Sequence, residues 1–270
     1  MSDFHSTSPA IHLTRGRAGC ELAVRLGAVA IVVDALRAST TLAALLDHGV
    51  ARIQVVARVN HARALAAQSP EALLIGERGG QRIPGFHLGN SPLEVLASPR
   101  MEGLTAIFTS SNGAQRLTAC HGAHHILVGT VSNAAVVCET ARALAETARR
   151  PVVCIAAGKY PDESYIAPED EITCTYLAAR IGLPIAGESI ADFSRWQREL
   201  ILHGLEAIFR SSRHAQRLME IGYGDDVLFC TRPDSLPLAP AVSGDVLLHD
   251  KRVGVEIRAA AGLRTRKAEA

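Results

Sequence analysis

Short runs of hydrophobic residues recur along the chain, and each is followed by a polar turn and then by apolar residues at helical spacing. The clearest run, residues 28–33, ends at Asp34, and residues 35–46 then show the spacing of a helix. Continuous apolar runs of this kind are typical of strands buried on both faces of an α/β sheet. Further strands are predicted at residues 11–16, 52–56, 73–75, 105–108, 126–128, 151–156 and 227–230.

Helical segments separate most of these strands. Acidic residues open the segment 168–181, which suits the positive end of a helix dipole, and Asn60 is the predicted N-cap of residues 61–68. Other helices are predicted to end near residues 120 and 144 and to span residues 193–209 and 211–220. The alternation predicts a three-layer α/β/α fold with a mainly parallel or mixed sheet.

The length of 270 residues allows one large domain or two small ones. No repeat of fixed period is present, and we expect a single α/β unit over residues 1–270. Two lobes, about 1–150 and 151–250 with the site between them, are the alternative arrangement. Residues 259–270 are predicted to be a flexible tail.

Composition narrows the class of protein. Hydrophobic residues make up 48% of the chain and charged residues 20%, so the chain can bury a core. The net charge is +1 without a long basic run, which argues against a nucleic-acid partner.

No apolar run is long enough to span a membrane and residues 1–10 lack a signal-peptide pattern, so we expect a cytoplasmic protein. The six scattered cysteines have no zinc spacing and are expected to be reduced and buried.

The segment from Ile75 to Val95 combines turn-forming residues with charge. Its Gly, Asn and Pro residues predict a long, non-repetitive loop, and such loops inside compact domains are usually functional. It carries a carboxylate, two guanidiniums and two further polar side chains, which are Glu77, Arg78, Arg82, Asn90 and Ser91. The segment is either a site for a metal-bound anion or an irregular connection with solvated charges.

Polar residues follow the ends of several predicted strands. In a parallel sheet these ends gather at one edge, so the residues are expected to lie close together. The hydroxyl-rich turns are Ser39, Thr40 and Thr41 after Asp34, then Thr109 to Gly113, then Ser132 and Asn133, with Lys159 after a later strand. Free N–H groups at helix starts bind anions, so these turns predict a phosphate cradle near Arg37 and Arg78. Ordinary N-capping is the alternative for any one turn.

Four carboxylates, those of Asp34, Glu77, Glu169 and Asp170, lie near predicted strand ends or a helix start. Hard oxygen ligands beside phosphate suit Mg²⁺, which needs only one or two carboxylates. For Glu169 and Asp170, stabilisation of a helix dipole is the favoured alternative. An R-H pair at Arg213 lacks the glycine and the preceding strand of an R-H-G phosphatase motif, so we assign it no role.

The motifs together resemble those of the 2-phosphosulfolactate phosphatase family, over roughly residues 28 to 232. They are Asp34-x-Leu36-Arg37-Ala38-Ser39-Thr40-Thr41, Gly76-Glu77-Arg78-Gly79-Gly80, Gly85-Phe86-x-Leu88-Gly89-Asn90-Ser91-Pro92, Ser111-Asn112-Gly113, Ser132-Asn133-Ala134 and the pair Glu169-Asp170. The resemblance implies a Mg²⁺-dependent phosphatase that hydrolyses 2-phospho-3-sulfolactate, a step toward coenzyme M. Residues 159–167 and the part after Pro233 depart from the family pattern.

These observations give one leading hypothesis, a Mg²⁺-dependent phosphatase acting on a small polyanionic hydroxy-acid phosphate. Asp34, Glu77, Glu169 and Asp170 are the candidate metal ligands, and with Arg37 and Arg78 they form the candidate catalytic set. The candidate substrate-binding residues are Ser39, Thr40, Thr41, Gly79, Gly80, Asn90, Ser91, Thr109, Ser110, Ser111, Asn112, Gly113, Ser132 and Asn133, with Arg82 and Lys159 for the distal anion. A non-catalytic binder of phosphorylated or sulfonated metabolites and a phosphotransferase are the alternatives. The sequence also allows a homodimer.

Overall fold

The computed structural model describes residues 9–260. The strands within this range are β1 Ile11–Arg15, β2 Val29–Val33, β3 Arg52–Val56, β4 Leu73–Arg78, β5 Gln81–Arg82, β6 Thr105–Thr109, β7 His125–Val128, β8 Val152–Ala156, β9 Pro240–Leu248 and β10 Lys251–Ala259. The helices are α1 Gly16–Leu26, α2 Ala38–Asp47, α3 Val59–Gln68, α4 Pro92–Ala97, α5 Gly113–Ala119, α6 Ala134–Ala148, α7 Pro168–Ile181, α8 Ile190–Ser211, α9 Arg213–Glu220 and α10 Gly224–Cys230. Short 3₁₀ turns precede α6 and α8.

All the strands join in one mixed sheet, in the order β1-β8-β2-β7-β9-β10-β3-β6-β4-β5. The strands β1, β8, β2 and β7 run parallel, as do β3, β6 and β4. The hairpin of β9 and β10 lies between these two groups and pairs antiparallel with β7 and β3. The predicted α/β class is therefore confirmed, with a mixed sheet.

The hairpin makes the two parallel groups run in opposite directions along the sheet. In a flat sheet their carboxyl ends would lie at opposite edges. The N–H group of Gly113, just after β6, nevertheless donates a hydrogen bond to Asp34, just after β2. The sheet must therefore twist and curl across the hairpin, so that the ends of the two groups meet.

The buried strand β2 shows how the layers form. Val29, Ile31 and Val33 pack in one hydrophobic cluster with residues of α6, α7 and α8. Ala30 and Val32, which point to the other face, pack in a second cluster with residues of α1, α2 and α5. Because both faces are covered by helices, the continuous apolar run that predicted this strand has a physical cause.

Several element predictions were wrong in detail. Residues 227–230 belong to α10 and not to a strand, since a four-residue apolar run does not distinguish the two. The helix α3 begins at Val59 with Arg58 as its N-cap, so Asn60 lies inside it. The helix α1 and the hairpin β9–β10 were not predicted.

The segment from Ile75 to Val95 is more regular than the predicted loop. The strand β4 continues through Arg78, and a tight turn at Gly79 and Gly80, with φ of 62° and 84°, leads into β5. Antiparallel pairing of β4 with β5 joins Glu77 to Arg82. Ser91 then caps α4 by accepting a hydrogen bond from the Glu94 N–H group.

The organisation as a single unit stays a prediction. Strands that precede residue 150 and strands that follow it are neighbours in the same sheet. Residues 1–8 and the predicted tail from residue 261 onward lie outside the described residues. Between residues 9 and 260 there is no helix with the length and apolar character needed to cross a membrane. All six cysteines are free and buried, as predicted.

Candidate active site

A cavity of about 540 Å³ lies where the loops after β2, β4, β6 and β8 meet the helix α9. Residues predicted as site residues that line it are Asp34, Arg37, Glu77, Gly79, Gly80, Asn90, Ser111, Asn112 and Lys159. Lining residues that were not predicted include Gly158, Tyr160, Tyr165, Arg213, His214 and Arg217. The volume is within the usual range for a pocket that binds a small molecule.

Glu77 is held rigidly at the cavity wall. Its carboxylate accepts hydrogen bonds from the N–H groups of Gly80 at 2.8 Å and Ser111 at 2.7 Å, and from the Ser111 hydroxyl at 3.2 Å. The Gly79–Gly80 turn brings the Gly80 N–H group back to the carboxylate. A carboxylate with these fixed donors has little freedom, so its position is set before any ligand binds.

Asp34 follows the last residue of β2 and is also fixed by backbone donors. Its Oδ2 accepts a hydrogen bond of 2.7 Å from the Gly113 N–H group, and its own N–H group donates to the Ser39 hydroxyl at 2.9 Å. Burial raises the pKa of Asp34 above its ordinary value, and the field of His214 opposes this rise while that of Glu77 adds to it. The site therefore already concentrates negative charge.

Asp170 and Glu169 lie in the first turn of α7. Asp170 accepts hydrogen bonds from the N–H groups of Ala35 at 2.8 Å and Gly158 at 3.0 Å, so it joins the loops that follow β2 and β8. Burial raises the pKa of Asp170 well above its ordinary value, and the neighbouring Glu169 and Asp34 raise it further. One oxygen of Glu169, Oε2, is buried without a hydrogen-bond partner.

His214 is a residue of this site that the sequence analysis missed. It projects from α9 into the cavity, and its Nδ1 lies 3.6 Å from Oε1 of Glu169. Burial lowers the pKa of His214, but the contact with Glu169 and the charges of Glu169, Asp34 and Glu77 outweigh this, so the pKa is raised overall. The arrangement places an imidazole that is more readily protonated than usual among the acids.

Arg37 is buried and engaged by the protein itself. Its Nη1 donates to Oδ2 of Asp226 at 2.6 Å, its Nη2 donates to the Gly80 carbonyl at 2.7 Å, and its guanidinium stacks on Tyr223 at 4.0 Å from the ring centre. Asp226 in turn accepts a hydrogen bond from the Ser91 hydroxyl at 2.8 Å. The ion pair of Arg37 and Asp226 thus connects the start of α2 with the Gly79–Gly80 turn, with α10 and with the start of α4.

Two predicted arginines lie outside the cavity lining. The guanidinium of Arg78 donates to the carbonyls of Glu77 at 2.6 Å and Ala57 at 3.1 Å and to the hydroxyl of Thr109 at 3.0 Å. Burial lowers the pKa of Arg78, and the charge of Glu77 opposes this shift. Arg82 is exposed and donates to the His87 carbonyl at 3.2 Å. Neither guanidinium lies at the wall that carries Glu77.

Most of the predicted hydroxyl and amide groups make local contacts away from the cavity. Thr40 hydrogen-bonds to Thr130 at 2.8 Å, and Ser110 accepts from the Ala114 N–H group at 3.0 Å. Ser132 contacts the Phe229 carbonyl, Asn133 caps the turn at Thr130, and the hydroxyl of Thr41 is buried without a partner. Except for Thr41, these are the contacts expected of capping and tertiary packing.

Three basic side chains, those of Lys159, Arg213 and Arg217, line the same cavity as the acids. Among residues 9–260, neither Lys159 nor Arg213 has a carboxylate within ion-pair distance, whereas Arg217 lies 3.3 Å from Glu220. Lys159 lies 5.7 Å from the ring centre of Tyr165. The cavity therefore has both an acidic and a basic region.

The side chains at the cavity suit Mg²⁺ in the kind of donor they offer. In the described range 9–260, no group of three or more His, Cys, Asp or Glu side chains is arranged as a ready metal site. Asp34, Glu77 and Asn90 nevertheless bring oxygen donors to the cavity, and Asn90 Oδ1 is buried without a partner. Glu169, whose Oε2 is also buried without a partner, and Asp170 do not line the cavity themselves. Because Mg²⁺ retains several waters and needs few protein ligands, the three lining residues fit the ion in their chemistry.

Comparison with known proteins places the chain in a family. The family model described as 2-phosphosulpholactate phosphatase matches residues 20–245. A protein named probable 2-phosphosulfolactate phosphatase from Parasynechococcus marenigrum is 32% identical over 220 residues, which cover 78% of this chain and 87% of that protein. A protein of the same name from Carboxydothermus hydrogenoformans is 32% identical, over 78% of this chain and 84% of its own length. Another from Symbiobacterium thermophilum is 31% identical, over 82% of this chain and 94% of its own length. The chain belongs to the 2-phosphosulpholactate phosphatase family.

Proposed function

We propose that the chain is a phosphoric monoester hydrolase that cleaves the phosphate ester of 2-phosphosulfolactate or a related polyanionic hydroxy acid. Its relatives carry the name of this activity. The observation that carries the proposal is the division of one cavity into an acidic region, with Asp34 and Glu77, and a basic region, with Lys159 and Arg213. A site of this kind suits a ligand with two anionic ends. One end would bind a metal cation held by the acids, and the other would bind the basic side chains.

The charge of the substrate explains why the basic region is needed. A phosphate monoester carries −1.5 to −2 near neutral pH, and a sulfonate and a carboxylate add about one each, for about four negative charges in total. Arg213, Arg217 and Lys159 are the cationic side chains at the cavity that are available for the sulfonate and carboxylate. We therefore reassign the distal-anion role that the sequence suggested for Arg82 to Arg213, while Lys159 keeps that role.

Mg²⁺ is part of the proposal. Asp34 and Glu77, which line the cavity, would hold it, with Asp170 acting mainly by fixing the loops after β2 and β8. The ion would stabilise charge that develops on the phosphoryl oxygens. The chain's own contribution is position, since backbone N–H groups fix Asp34 and Glu77 before the substrate arrives. His214 faces Glu169 through Nδ1, which leaves Nε2 as the nitrogen that would contact a bound phosphate.

Arg37 has a supporting role in this proposal. Its ion pair with Asp226 and its hydrogen bond to the Gly80 carbonyl hold the turn whose N–H group positions Glu77. Arg37 thus acts on catalysis through Glu77 and through the shape of the cavity wall. Arg78, which contacts the Glu77 carbonyl from outside the cavity, supports the same strand end.

A cytoplasmic location and a homodimer belong to the same proposal. The location is supported by the six cysteines, which are free and buried, as suits a reducing compartment. For the homodimer, Ile201 and Leu202 on α8 are the first residues to vary, because their side chains are exposed by 78% and 65%. Light scattering of the wild type and of Ile201→Glu would test the assembly.

The function is tested by phosphate release. Purified protein is assayed with Mg²⁺ on 2-phosphosulfolactate, on 2-phospholactate, which lacks the sulfonate, and on a neutral aryl phosphate. We expect the highest kcat/KM for the sulfonated ester, and Asp34→Asn, prepared in parallel, controls for contaminating phosphatases. If the wild type binds 2-phosphosulfolactate but releases no phosphate, the non-catalytic alternative replaces this proposal. Transfer of phosphate to an added alcohol in preference to water would favour the phosphotransferase.

A further inference from the structure

A second cavity, of about 660 Å³, lies on the other side of the segment that follows β8. It is bordered by α1, by the start of α3, by α5 and by β10. Four arginines line it, namely Arg17, Arg58, Arg116 and Arg252, together with the carboxylates of Glu21 and Glu163. The acids of the first cavity do not contribute to its lining.

The charges in this second cavity do not balance. Arg17 pairs with Glu21 at 2.7 Å, and Arg116 pairs with Glu163 at 2.8 Å. Arg58 and Arg252 have no carboxylate within ion-pair distance in the part of the chain that the structure describes, and Arg252 makes one long contact of 3.4 Å with the Thr118 carbonyl. Two guanidiniums thus remain without a counter-charge beside the same space.

Arg116 supplies the observation that separates this cavity from an ordinary basic surface. Its side chain is 3% exposed, its Nε donates to the Ala157 carbonyl at 2.9 Å, and its Nη2 is buried without any partner in the described residues. The Nδ1 atom of His61, which also lines the cavity, is likewise buried without a partner. Buried polar atoms normally have hydrogen-bond partners, and a guanidinium nitrogen can only donate, so the Nη2 atom of Arg116 indicates a missing acceptor.

We infer that the second cavity binds a small anionic metabolite with a phosphate, sulfonate or carboxylate group, through Arg58, Arg116 and Arg252. Guanidinium forks match the geometry of these oxyanions, and a buried guanidinium strengthens the charge-assisted hydrogen bond. The volume admits a ligand larger than inorganic phosphate. This site is separate from the substrate cavity, and the inference does not depend on the reaction proposed there.

The two cavities share one residue, which makes the second site relevant to the first. Tyr160 lines both, and its N–H group donates to Asn112 of the first cavity at 3.0 Å. Glu163, three residues later, accepts hydrogen bonds from Arg116 and from the Arg17 N–H group. An anion that contacts Arg116 therefore lies against the same segment that carries Lys159 and Tyr165.

The experiment uses selenate, a tetrahedral dianion whose selenium can be located by anomalous scattering. Crystals of the full chain, grown without sulfate or phosphate, are soaked in sodium selenate. We expect an anomalous peak within hydrogen-bond distance of Arg116 in the wild type and none there in Arg58→Ala/Arg252→Ala. A peak in the first cavity serves as an internal control in both proteins. No peak beside Arg116 in the wild type, or an undiminished one in the double variant, would overturn the inference.

Equilibrium dialysis with ³⁵S-labelled sulfate extends the test to solution. The double variant should bind about one fewer sulfate per chain than the wild type, because its two substitutions remove the uncompensated guanidiniums. Arg25→Ala/Arg198→Ala, which removes the same charge from exposed positions outside both cavities, is the matched control and should bind as the wild type does. An equal loss of bound sulfate in the two double variants would mean that sulfate binding depends only on net charge, and the site would be rejected.

Discussion

The N–H group of Gly113 donates a hydrogen bond of 2.7 Å to Oδ2 of Asp34. This bond connects the start of α5 with the end of β2, and so it joins the two groups of parallel strands that run in opposite directions along the sheet. A Cβ atom added at Gly113 would lie 2.9 Å from the same Oδ2 atom and 3.0 Å from Cβ of Ala38. Asp34 thus occupies a position that only a glycine at residue 113 leaves open.

Gly113→Ala should therefore displace the Asp34 carboxylate and lower kcat by about a hundredfold, the scale expected when a reacting group moves by about 1 Å. Steady-state kinetics and thermal melting would measure the two effects separately. Gly187→Ala is the control, since a Cβ atom there would have no neighbour within 4 Å. Normal kcat in Gly113→Ala would show that the site tolerates movement of Asp34.

Asp34→Asn and Glu77→Gln should each lower kcat by at least about a hundredfold, as does the loss of one group that stabilises charge in other enzymes. Both side chains line the cavity and are isosteric with their replacements, so the fold should persist. Glu77→Gln should melt slightly lower, because an amide nitrogen does not accept and one of the hydrogen bonds from the Gly80 and Ser111 N–H groups is lost. Circular dichroism and melting would check the fold, and phosphate release would give kcat. If both variants melt and turn over as the wild type does, the two acids have capping roles only.

Removal of divalent metal with EDTA should abolish turnover, and added Mg²⁺ should restore it, because the acidic region needs a cation before it accepts a phosphate. A binding readout makes the prediction independent of catalysis. Mg²⁺ should raise the melting temperature of the wild type by preferential binding to the folded state, and should raise that of Asp34→Asn less. Full activity in a metal-free preparation would contradict the prediction.

Lys159→Ala and Arg213→Ala should each raise KM for 2-phosphosulfolactate by about tenfold or more, because each loses a charge-assisted hydrogen bond to the distal anion. The effect on a neutral aryl phosphate should be much smaller. Arg82→Ala, which removes an exposed guanidinium outside the cavity, is the matched control and should leave both KM values unchanged. Equal increases on both substrates would mean that Lys159 and Arg213 do not bind the sulfonate or carboxylate.

Arg37→Met should lower the free energy of unfolding by about 3–5 kcal/mol, because it leaves the buried carboxylate of Asp226 without its partner. The double variant Arg37→Met/Asp226→Leu should lose much less than the sum of the single losses, since no uncompensated charge remains. Urea unfolding of the four proteins gives this coupling directly. Arg142→Met, in the exposed pair with Glu146, should cost less than about 1 kcal/mol. Additive losses would show that the buried pair is not energetically coupled.

Much of the fold was predictable because its strands are short, apolar and bounded by polar turns. The run at residues 28–33 predicted β2. Because this run ends at Asp34, the side chain of Asp34 was expected to lie near the polar residues that follow other strands. The structure brings Asp34, Glu77, Ser111 and Lys159 to one cavity, as the argument from strand ends expected. All four follow or end strands, which are visible in a sequence, but the two groups of strands run in opposite directions, so the curl of the sheet across the β9–β10 hairpin is also needed to bring them together.

The remaining parts depend on information that local patterns do not contain. His214 lies on α9, far along the chain from Asp34 and Glu77, and only tertiary packing brings it to Glu169. The i, i+3, i+4 spacing of His214, Arg217 and Leu218 marks one face of a helix, but nothing in that spacing says what the face meets. Likewise, the direction of the Arg78 guanidinium follows from the carbonyl groups around it, and these are not visible before the chain is folded.

The position of the C-terminal hairpin in the sheet has a consequence for how the protein is made. Until residues 240–259 leave the ribosome, β7 and β3 each present an unpaired edge, and the two groups of strands have no backbone pairing to each other. Exposed edges of this kind pair with other chains and promote aggregation. During synthesis, the strands that precede residue 240 therefore have these two edges open, and the hairpin both covers the edges and joins the two groups.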